Sequence, residues 1–448
     1  MGSCGGADEA TADGAMSARR SRSSRRQSRR GGAQNRSARR KPARLKRRSA
    51  GRSGRRRNAG GGGSTAPTVV TVPPPSPVYE GLPGVQLVGF SRSDSGIGEA
   101  CRLQASSLLA AGVPTSIISC DALSLNRPSD ESCVPLEHNE PFHKCTVLQF
   151  NPDMLPHVLG KYGHRPVERK FTVGYWHWEL MDIPEEWTAS MHYFHEIWTP
   201  SQFVRDAVAA RSPVPVLTMP YGCAPDDRFR PGRAYYGLPA DRYLFMMMFD
   251  THSFMERKNP LGALEAFLLA FGGSDPSVGL VLKANNANHG GAALAHLRQR
   301  MAGCSNVYFI EAGMTRQETG GLIGECDAYV SLHRAEGFGL GIAEAMVRNK
   351  PAIATNWSGS TDFLNSSNGC PVGFRLVPIA ETLGPYRAGS LWAEPDLAQA
   401  AYYMRLLACD RQTGIRLGAA AAQTINTRYN PAIAGAAMRQ RLAQIGLV

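Results

Sequence analysis

Short apolar segments alternate with helical patterns from Val85 onward, and this alternation limits the fold more than any other feature of the sequence. The predicted strands are 85–90, 115–119, 146–150, 172–175, 196–199, 216–219, 243–249, 279–283, 307–311, 328–332 and 352–355. The predicted helices include 98–111, 260–271, 316–326, 341–349, 397–409 and roughly 411–447. Such alternation is typical of parallel sheets covered by helices on both faces, so an α/β protein is predicted.

The number of strands is large for one sheet, so two doubly wound, Rossmann-like domains are predicted, meeting near residues 222–241. The first domain is assigned to residues 79–222 and the second to residues 223–425. Residues 426–448 are assigned to a closing helix, which could pack back on the first domain. Ligands of open parallel sheets bind at the carboxyl ends of strands, and each candidate below follows a predicted strand.

Residues 1–78 differ from the rest of the chain in composition. Residues 1–62 hold 17 Arg and 2 Lys against three acidic residues, which gives +16, so the remainder carries −3 of the net +13. This Arg/Ser/Gly-rich and then Pro-rich segment cannot bury enough apolar surface to offset chain entropy, and it is predicted to be a disordered tail. A contact with nucleic acid or an anionic membrane is one interpretation of the tail. A solvated tail or an over-extended gene start is the other, and it is favoured because aromatic residues are absent.

The ten cysteines are irregularly spaced and form no Cys-x-x-Cys pair, as expected for reduced thiols in a cytoplasm. No segment approaches the ~18 apolar residues of a membrane span, and the start lacks the apolar region of a secretory signal. The expected location is therefore cytoplasmic, with a peripheral contact at the inner face of the membrane left open.

The strongest motif is the stretch 336–344, Glu-Gly-Phe-Gly-Leu-Gly-Ile-Ala-Glu, which follows an apolar strand and runs into a helix. Free backbone N–H groups at that helix start favour an anion such as a diphosphate, and the glycines let the main chain approach a ligand. Glu336 in the loop can reach one end of a nucleotide-sugar, and Glu344 in the helix can accept hydrogen bonds from ribose hydroxyls. Paired carboxylates also invite a glycosidase interpretation, but a phosphate-type turn beside them favours donor binding. The other predicted donor-binding residues of this stretch are Gly337, Phe338, Gly339 and Leu340.

Two further candidates lie in the first predicted domain. Gly96 and Gly98 open a helix after the first strand and could bring backbone N–H groups to a phosphate or a sugar; a tight turn without a ligand is the alternative. The third glycine of the dinucleotide fingerprint is missing, so a Rossmann NAD site is weakly supported. After another strand come the aromatic Trp176 and the acidic Glu179. An aromatic residue there suits the apolar face of a sugar ring, and both residues are predicted to contact the molecule that accepts the sugar. His177, between them, could orient a hydroxyl or accept its proton. The alternative is that these aromatic residues belong to the core.

Cations follow two strands of the second predicted domain. Arg257 and Lys258 stand just before a helix, where the helix dipole disfavours cations, so they are predicted to stabilise a leaving diphosphate instead of forming a solvated pair. Lys283 closes an apolar strand and is either a phosphate contact or a snorkelling surface residue. No Asp-x-Asp motif stands near a strand end in a candidate site, which is consistent with the expectation that neither a metal nor another cofactor is required.

The stretch 336–344 resembles the Glu-x7-Glu signature of glycosyltransferase family 4, which has the GT-B fold. The match continues through Cys326-Asp-Ala-Tyr-Val-Ser-Leu-His-Arg and Lys350-Pro-Ala-Ile-Ala-Thr and covers about residues 85–445. Four other segments resemble a bacterial subgroup thought to build surface polysaccharides: Gly96-Ile-Gly-Glu, Tyr175-Trp-His-Trp-Glu-Leu, Ile197-Trp-Thr-Pro-Ser and Glu256-Arg-Lys-Asn-Pro.

The resemblance implies two Rossmann-like domains facing a central cleft, a nucleotide-sugar donor, a glycan or lipid-linked acceptor, a retaining outcome and no required metal. It places Glu336 at the donor sugar, Glu344 at the ribose, and Arg257 and Lys258 at the diphosphate. His177 is the nearest match to the family's histidine near the reacting centre. Phe249-Asp250 stands where the family usually has Gly-Arg, so either Arg257 or Lys283 is expected to replace the missing Arg.

Two other functions stay open on the sequence. One is a sugar phosphorylase of the same fold, which would use free phosphate. The other is a non-enzymatic binder of nucleic acid or a membrane surface, acting through the basic tail. The presence of both glutamates of the motif and of the Arg-Lys pair favours an active enzyme.

Overall fold

The computed structural model describes residues 78–226 and 228–448, so the predicted disordered tail, residues 1–78, lies outside the described residues apart from Val78. The strands are β1 Leu82–Gly89, β2 Thr115–Ser119, β3 His143–Gln149, β4 Phe171–Tyr175, β5 Glu196–Thr199, β6 Val216–Thr218, β7 Tyr243–Asp250, β8 Val278–Asn285, β9 Val307–Ile310, β10 Ala328–Ser331, β11 Ala352–Thr355, β12 Cys370–Val372, β13 Phe374–Pro378 and β14 Leu391–Pro395. The helices are α1 Gly96–Ala110, α2 Leu155–Tyr162, α3 Gln202–Ala209, α4 Met255–Lys258, α5 Pro260–Phe271, α6 Gly291–Met301, α7 Arg316–Glu325, α8 Leu340–Val347, α9 Leu397–Cys409, α10 Arg411–Arg428 and α11 Pro431–Gln444.

Two six-stranded parallel sheets form the body of the protein, which confirms the predicted α/β class. The first has the order β2-β1-β3-β4-β5-β6, and the second has the order β12-β11-β10-β7-β8-β9. The strand order reverses between β1 and β3 in the first sheet and between β7 and β10 in the second. Such reversals leave a crevice at the carboxyl ends of the strands, where ligands of open α/β sheets bind.

Several strands, such as β7 and β11, are nearly continuous apolar runs, as expected where helices cover both faces of a sheet. Every residue of β11 is buried, as are the first five residues of β7. Side-chain caps begin several helices: Ser95 accepts from Gly98 N at α1, and Asn259 accepts from Gly262 N at α5, where Pro260 is the first helical residue. Local sequence and tertiary packing therefore favour the same elements.

Three features depart from the predicted pattern. The second sheet has an additional edge strand, β12, and β13 and β14 form an antiparallel hairpin of their own. The predicted helical range 411–447 is divided into α10 and α11, because Pro431 has no N–H to continue a helix and Asn430 caps the next one by accepting from Ile433 N at 2.9 Å.

The last helix, α11, packs against α1 beside the first sheet. A Cβ on Gly435 would lie only 1.9 Å from the backbone oxygen of Ser107, so the two helices approach closely at that point. Arg441 of α11 forms an ion pair with Glu196 of β5, a carboxylate that is 2% exposed. The chain therefore returns to the first sheet after completing the second.

Candidate active site

A cleft of about 1560 Å³ lies between the carboxyl ends of the two sheets. Loops that follow β1, β3 and β4 line it on one side, and loops that follow β7, β8, β9 and β10 line it on the other. The cleft therefore lies at the reversal points of both sheets, where a ligand of this architecture is expected.

The glycine-rich loop forms part of the cleft wall between β10 and α8. Gly339 has a φ of 98° and precedes the first residue of α8, where no side chain caps the helix. A Cβ on Gly337 would lie 2.8 Å from the backbone oxygen of Trp178, so only glycine fits there without displacing the facing loop. Because no side chain occupies the start of α8, its first N–H groups are available to an anion in the cleft.

Glu336 lies at the head of this loop with two cations beside it. Its carboxylate is 2.5 Å from Nζ of Lys258 and 3.7 Å from the guanidinium of Arg257. Burial alone would raise the pKa of Glu336, but Lys258 and then Arg257 outweigh burial, and the pKa is lowered to about 2. Glu336 is therefore ionised throughout the physiological pH range.

The segment that carries the two cations is tied to the loop before Glu336. Asn259 donates to the backbone oxygen of Leu332 at 2.9 Å, and Arg334 N donates to the backbone oxygen of Arg257 at 2.8 Å. The Arg-Lys-Asn-Pro sequence thus does two things at once: Asn259 and Pro260 begin α5, and the preceding residues bring cations to Glu336.

Arg257 connects the two sides of the cleft. Its guanidinium lies 3.7 Å from Glu336 and 3.8 Å from Glu179, which follows β4 of the first sheet. It also donates to the backbone oxygen of Ala335 at 3.0 Å, and its Nε has no hydrogen-bond partner among the described residues. The hydroxyl of Tyr386 donates to Glu179 at 2.9 Å. Carboxylates and cations therefore alternate from Lys258 to Glu179.

Glu344 lies in α8, 5% exposed, and takes part in a second ion-pair chain. Arg316, the first residue of α7, approaches Glu344 at 2.5 Å and Glu99 of α1 at 2.9 Å, so one guanidinium joins the two halves of the molecule. Arg102 lies on the other side of Glu99 at 2.8 Å. Burial raises the pKa of Glu344, and Arg316 opposes that rise.

His177 follows β4 and lines the cleft. Its backbone N–H donates to Asn151 at 2.7 Å, and its Nδ1 is 2.7 Å from the hydroxyl of Tyr221. Burial lowers the pKa of His177 to about 4, so the imidazole is neutral near pH 7. Its Nε2 is buried and has no hydrogen-bond partner among the described residues, which leaves one polar atom for a ligand.

The glycine turn before α1 reaches the cleft through one of its two glycines. Gly96 is exposed and lines the cleft. Gly98 is buried and does not line it; a Cβ there would lie 2.3 Å from the backbone oxygen of Ser93. The second glycine is thus needed for the tight turn into the helix.

Like Gly98, two further residues predicted for the site, Trp176 and Lys283, lie in the interior and not at the cleft. Trp176 is not exposed, and its ring packs edge-on against Trp187 and Phe194, so it cannot contact an acceptor. Lys283 is also not exposed; its amine donates to the backbone oxygen of Ala284 at 2.9 Å and to Asn285 at 2.6 Å. Burial lowers the pKa of Lys283 to about 8. Of the two residues considered as a replacement for the family's Arg, Arg257 lines the cleft and Lys283 does not.

Sequence reasoning missed Arg316 and Tyr386. Arg316 lies at the first position of a predicted helix, where nothing distinguishes it from a solvated residue. Tyr386 lies in the loop of the β13–β14 hairpin, which no strand–helix pattern predicts.

Asp250 stands in the place of the family's Gly-Arg. It accepts hydrogen bonds from His252 N and from Asn286, both at 2.9 Å, and so supports the loop after β8.

Within residues 78–226 and 228–448, no three or more His, Cys, Asp or Glu side chains are arranged to hold a metal ion. That the reaction needs no metal stays a prediction from the sequence resemblance. No helix in the same residues is both long and apolar enough to cross a bilayer. The predicted contacts of the basic tail with nucleic acid or a membrane lie outside the described residues.

The fold is similar to several solved structures. HepE from Anabaena, in complex with UDP and glucose, is 14% identical with a TM-score of 0.57 over 81% of this chain and 100% of that chain. Sucrose-phosphate synthase from Thermosynechococcus elongatus is 15% identical with a TM-score of 0.59 over 81% and 99%. The N-terminal domain of trehalose-6-phosphate phosphatase from Candida albicans is 13% identical with a TM-score of 0.54 over 82% and 99%.

No protein-family model matches the sequence, and no curated protein matches it significantly. At these identities the structural likeness establishes the fold alone. It is the GT-B arrangement, with two Rossmann-like domains facing a cleft, as the sequence predicts.

Proposed function

We propose that the chain is a glycosyltransferase that moves a hexose-type sugar from a nucleotide-sugar to a hydroxyl of a glycan or lipid-linked acceptor. One observation carries this proposal: the uncapped start of α8 opens into the cleft between two carboxylates, Glu336 and Glu344, with Lys258 beside the first. A nucleotide-sugar offers a matching order of groups, with the sugar hydroxyls at one end, the diphosphate in the middle and the ribose at the other end.

The donor would lie along the glycine-rich loop. Glu344 would accept from the ribose hydroxyls, and the N–H groups of Gly337–Leu340 would face the diphosphate. Lys258 and Arg257 would share their charge between Glu336 and the diphosphate. HepE, which has the same fold, has been solved with UDP and glucose, and this supports a nucleotide-sugar as the ligand class.

Transfer breaks the bond between the anomeric carbon and the phosphate oxygen, and the leaving diphosphate keeps the electron pair. Lys258, Arg257 and the start of α8 stabilise the charge that develops on it. The acceptor oxygen then bonds to the anomeric carbon. We propose attack on the face of departure, which gives retention, with the hydroxyl proton passing to an oxygen of the leaving phosphate. Retention and membership of glycosyltransferase family 4 rest on the sequence resemblance.

Nucleotide binding tests the proposal without knowledge of the acceptor. UDP, GDP and ADP are titrated by calorimetry into the full chain, its Glu344→Gln variant and a matched Glu265→Gln variant. Glu265 is also a helical glutamate, but it pairs with Arg300 away from the cleft. We expect one nucleotide to bind wild type and the Glu265 variant equally and the Glu344 variant at least tenfold more weakly. Absence of binding, or equal binding by all three proteins, would overturn the proposal.

A further inference from the structure

Beyond the donor site, the cleft continues between the first-domain loops of residues 150–187 and the loop of the β13–β14 hairpin. We propose that this part, called here the acceptor pocket, receives a sugar that is uncharged or carries an amino group, and that it excludes a phosphorylated one. The inference rests on the proposed function and narrows its acceptor from glycans and lipid-linked acceptors in general to a phosphate-free sugar end.

The hairpin loop forms one wall of the acceptor pocket. Tyr386 is 5% exposed and lines the cleft, with its hydroxyl bonded to Glu179. Its ring lies 5.6 Å from that of Trp178 and 5.5 Å from that of Phe254. Arg387, the next residue, forms an ion pair with Glu186 of the first domain at 2.7 Å. The hairpin thus closes the cleft on this side and holds three aromatic rings together.

These groups suit a sugar ring. Trp178, Phe254 and Tyr386 line the cleft and offer apolar surface of the kind that packs on the C–H face of a pyranose. Hydroxyl partners are also present: Glu179 is an acceptor, and the unpartnered Nε2 of His177 lies on the same wall. A buried polar atom without a partner is costly, so a ligand hydroxyl at this position would be favourable.

The charge of the acceptor pocket selects against anions. Three carboxylates line it, from Asp153, Glu179 and Glu186, and the raised pKa of Asp153 is caused first by burial and in part by the charge of Glu186. Among the described first-domain residues from Phe150 to Tyr221 that line the cleft, none is Lys or Arg.

The cations of the cleft are elsewhere or already paired. Arg257 and Lys258 adjoin Glu336 at the donor site. Arg387 pairs with a carboxylate of the acceptor pocket but does not line the cleft. Arg257 also lies 3.8 Å from Glu179, but its charge is shared with Glu336. The other arginines that line the cleft each pair with a carboxylate: Arg102, Arg127, Arg298 and Arg316. A phosphate on the acceptor sugar would therefore face carboxylates and only cations that already have a carboxylate partner, and like charges brought together at a binding site oppose binding.

An acceptor screen with the full chain tests the inference. The probes are methyl glycosides of glucose, galactose and mannose, their 2-amino-2-deoxy counterparts and their 6-phosphates, each with UDP-, GDP- and ADP-sugars. The readouts are nucleoside diphosphate release above the acceptor-free rate and the product mass. We expect release to rise with a neutral or amino sugar and to be at least tenfold lower with its 6-phosphate. Faster reaction with the 6-phosphate, or no rise with any sugar while nucleotide binding is intact, would overturn the inference. Loss of nucleotide binding itself would instead count against the proposed function.

Charge variants distinguish the electrostatic effect of the acceptor pocket from a general loss of activity. The double variant Asp153→Asn/Glu186→Gln should raise the ratio of 6-phosphate to neutral turnover about tenfold. Glu185→Gln is the matched control, because Glu185 is exposed, pairs with Arg211 and does not line the cleft; its ratio should equal that of wild type. An unchanged ratio in the double variant would overturn the electrostatic argument.

A variant in the loop of the β13–β14 hairpin tests whether this wall of the acceptor pocket contacts the acceptor. Tyr386→Ala should raise the KM for the best neutral acceptor about tenfold and leave the Kd of the nucleotide unchanged, since the ring adjoins the acceptor pocket. Arg375→Ala, an exposed position on the same hairpin, is the control. An unchanged acceptor KM in folded Tyr386→Ala would show that the hairpin does not contact the acceptor.

Discussion

Replacing Lys258 by Met should lower both stability and turnover, because this side chain is the closest cation to Glu336. The amine lies 2.5 Å from the carboxylate, and Arg257 lies at 3.7 Å. Burial raises the pKa of Glu336, and the two cations more than reverse that rise. Methionine keeps the length and apolar stem of lysine and removes only the charge.

The magnitude follows from the pKa of Glu336, which is about 2 instead of its ordinary 4.5. That difference corresponds to about 3 kcal/mol of native-state stabilisation. Because the folded pKa is lower than the unfolded one, this stabilisation is complete above about pH 4.5 and is lost as the pH falls towards 2. Lys258 is closer than Arg257, so we expect the variant to lose about 2 kcal/mol at pH 7.

Guanidinium chloride unfolding at pH 7 measures the loss of stability, and nucleoside diphosphate release measures turnover. Since Lys258 also stabilises the leaving diphosphate in the proposed mechanism, kcat should fall about 10²- to 10³-fold. Lys161→Met is the control, because Lys161 is exposed and lies outside the cleft. If Lys258→Met kept wild-type stability and turnover, the assigned role of the Lys258–Glu336 pair would be refuted.

Three further predictions concern other charged groups. Arg316→Met removes the cation that opposes the effect of burial on Glu344, so the pKa of Glu344 should rise further and calorimetry should show the nucleotide Kd increasing at a higher pH than in wild type as the pH is lowered; the same pH dependence in both proteins would contradict this. Burial lowers the pKa of His177 to about 4, so kcat/KM should show no ionisation near pH 6.5, and a step there would contradict a neutral imidazole. Arg441→Met leaves the buried carboxylate of Glu196 without its cation, so the free energy of unfolding in denaturant should fall by about 2 kcal/mol; a loss below about 0.5 kcal/mol would show that α11 does not depend on this pair.

Much of the fold could be predicted because parallel strands covered on both faces are largely apolar. The strands predicted at 196–199 and 352–355 have the observed bounds of β5 and β11, and the helix predicted at 260–271 has those of α5. The β13–β14 hairpin could not be found this way, because every residue of β13 is partly buried or exposed and the hairpin belongs to neither large sheet. The break before α11 could have been found, since Asn430-Pro431 is a helix-start signal.

The site was predictable where chemistry depends on local sequence. The glycine-rich loop and the Arg-Lys-Asn-Pro segment each follow a strand, so parallel topology brings both to the same cleft. Side-chain direction was not predictable: Trp176 and His177 are adjacent, yet the first lies in the core and the second lines the cleft. Lys283 ends an apolar strand as expected but donates to its own neighbours, which sequence spacing cannot reveal.

The claim that the chain transfers a sugar from a nucleotide-sugar is tested most directly by comparing the products of wild type and Glu336→Gln. The full chain is incubated with UDP-, GDP- and ADP-sugars and the neutral acceptor panel, in buffer containing EDTA. The products are separated, and their masses are measured by mass spectrometry. We expect one donor to yield its nucleoside diphosphate and a glycosylated acceptor, and Glu336→Gln to lower that yield at least 100-fold. Failure of every donor to react with wild type, or undiminished transfer by Glu336→Gln, would contradict the account.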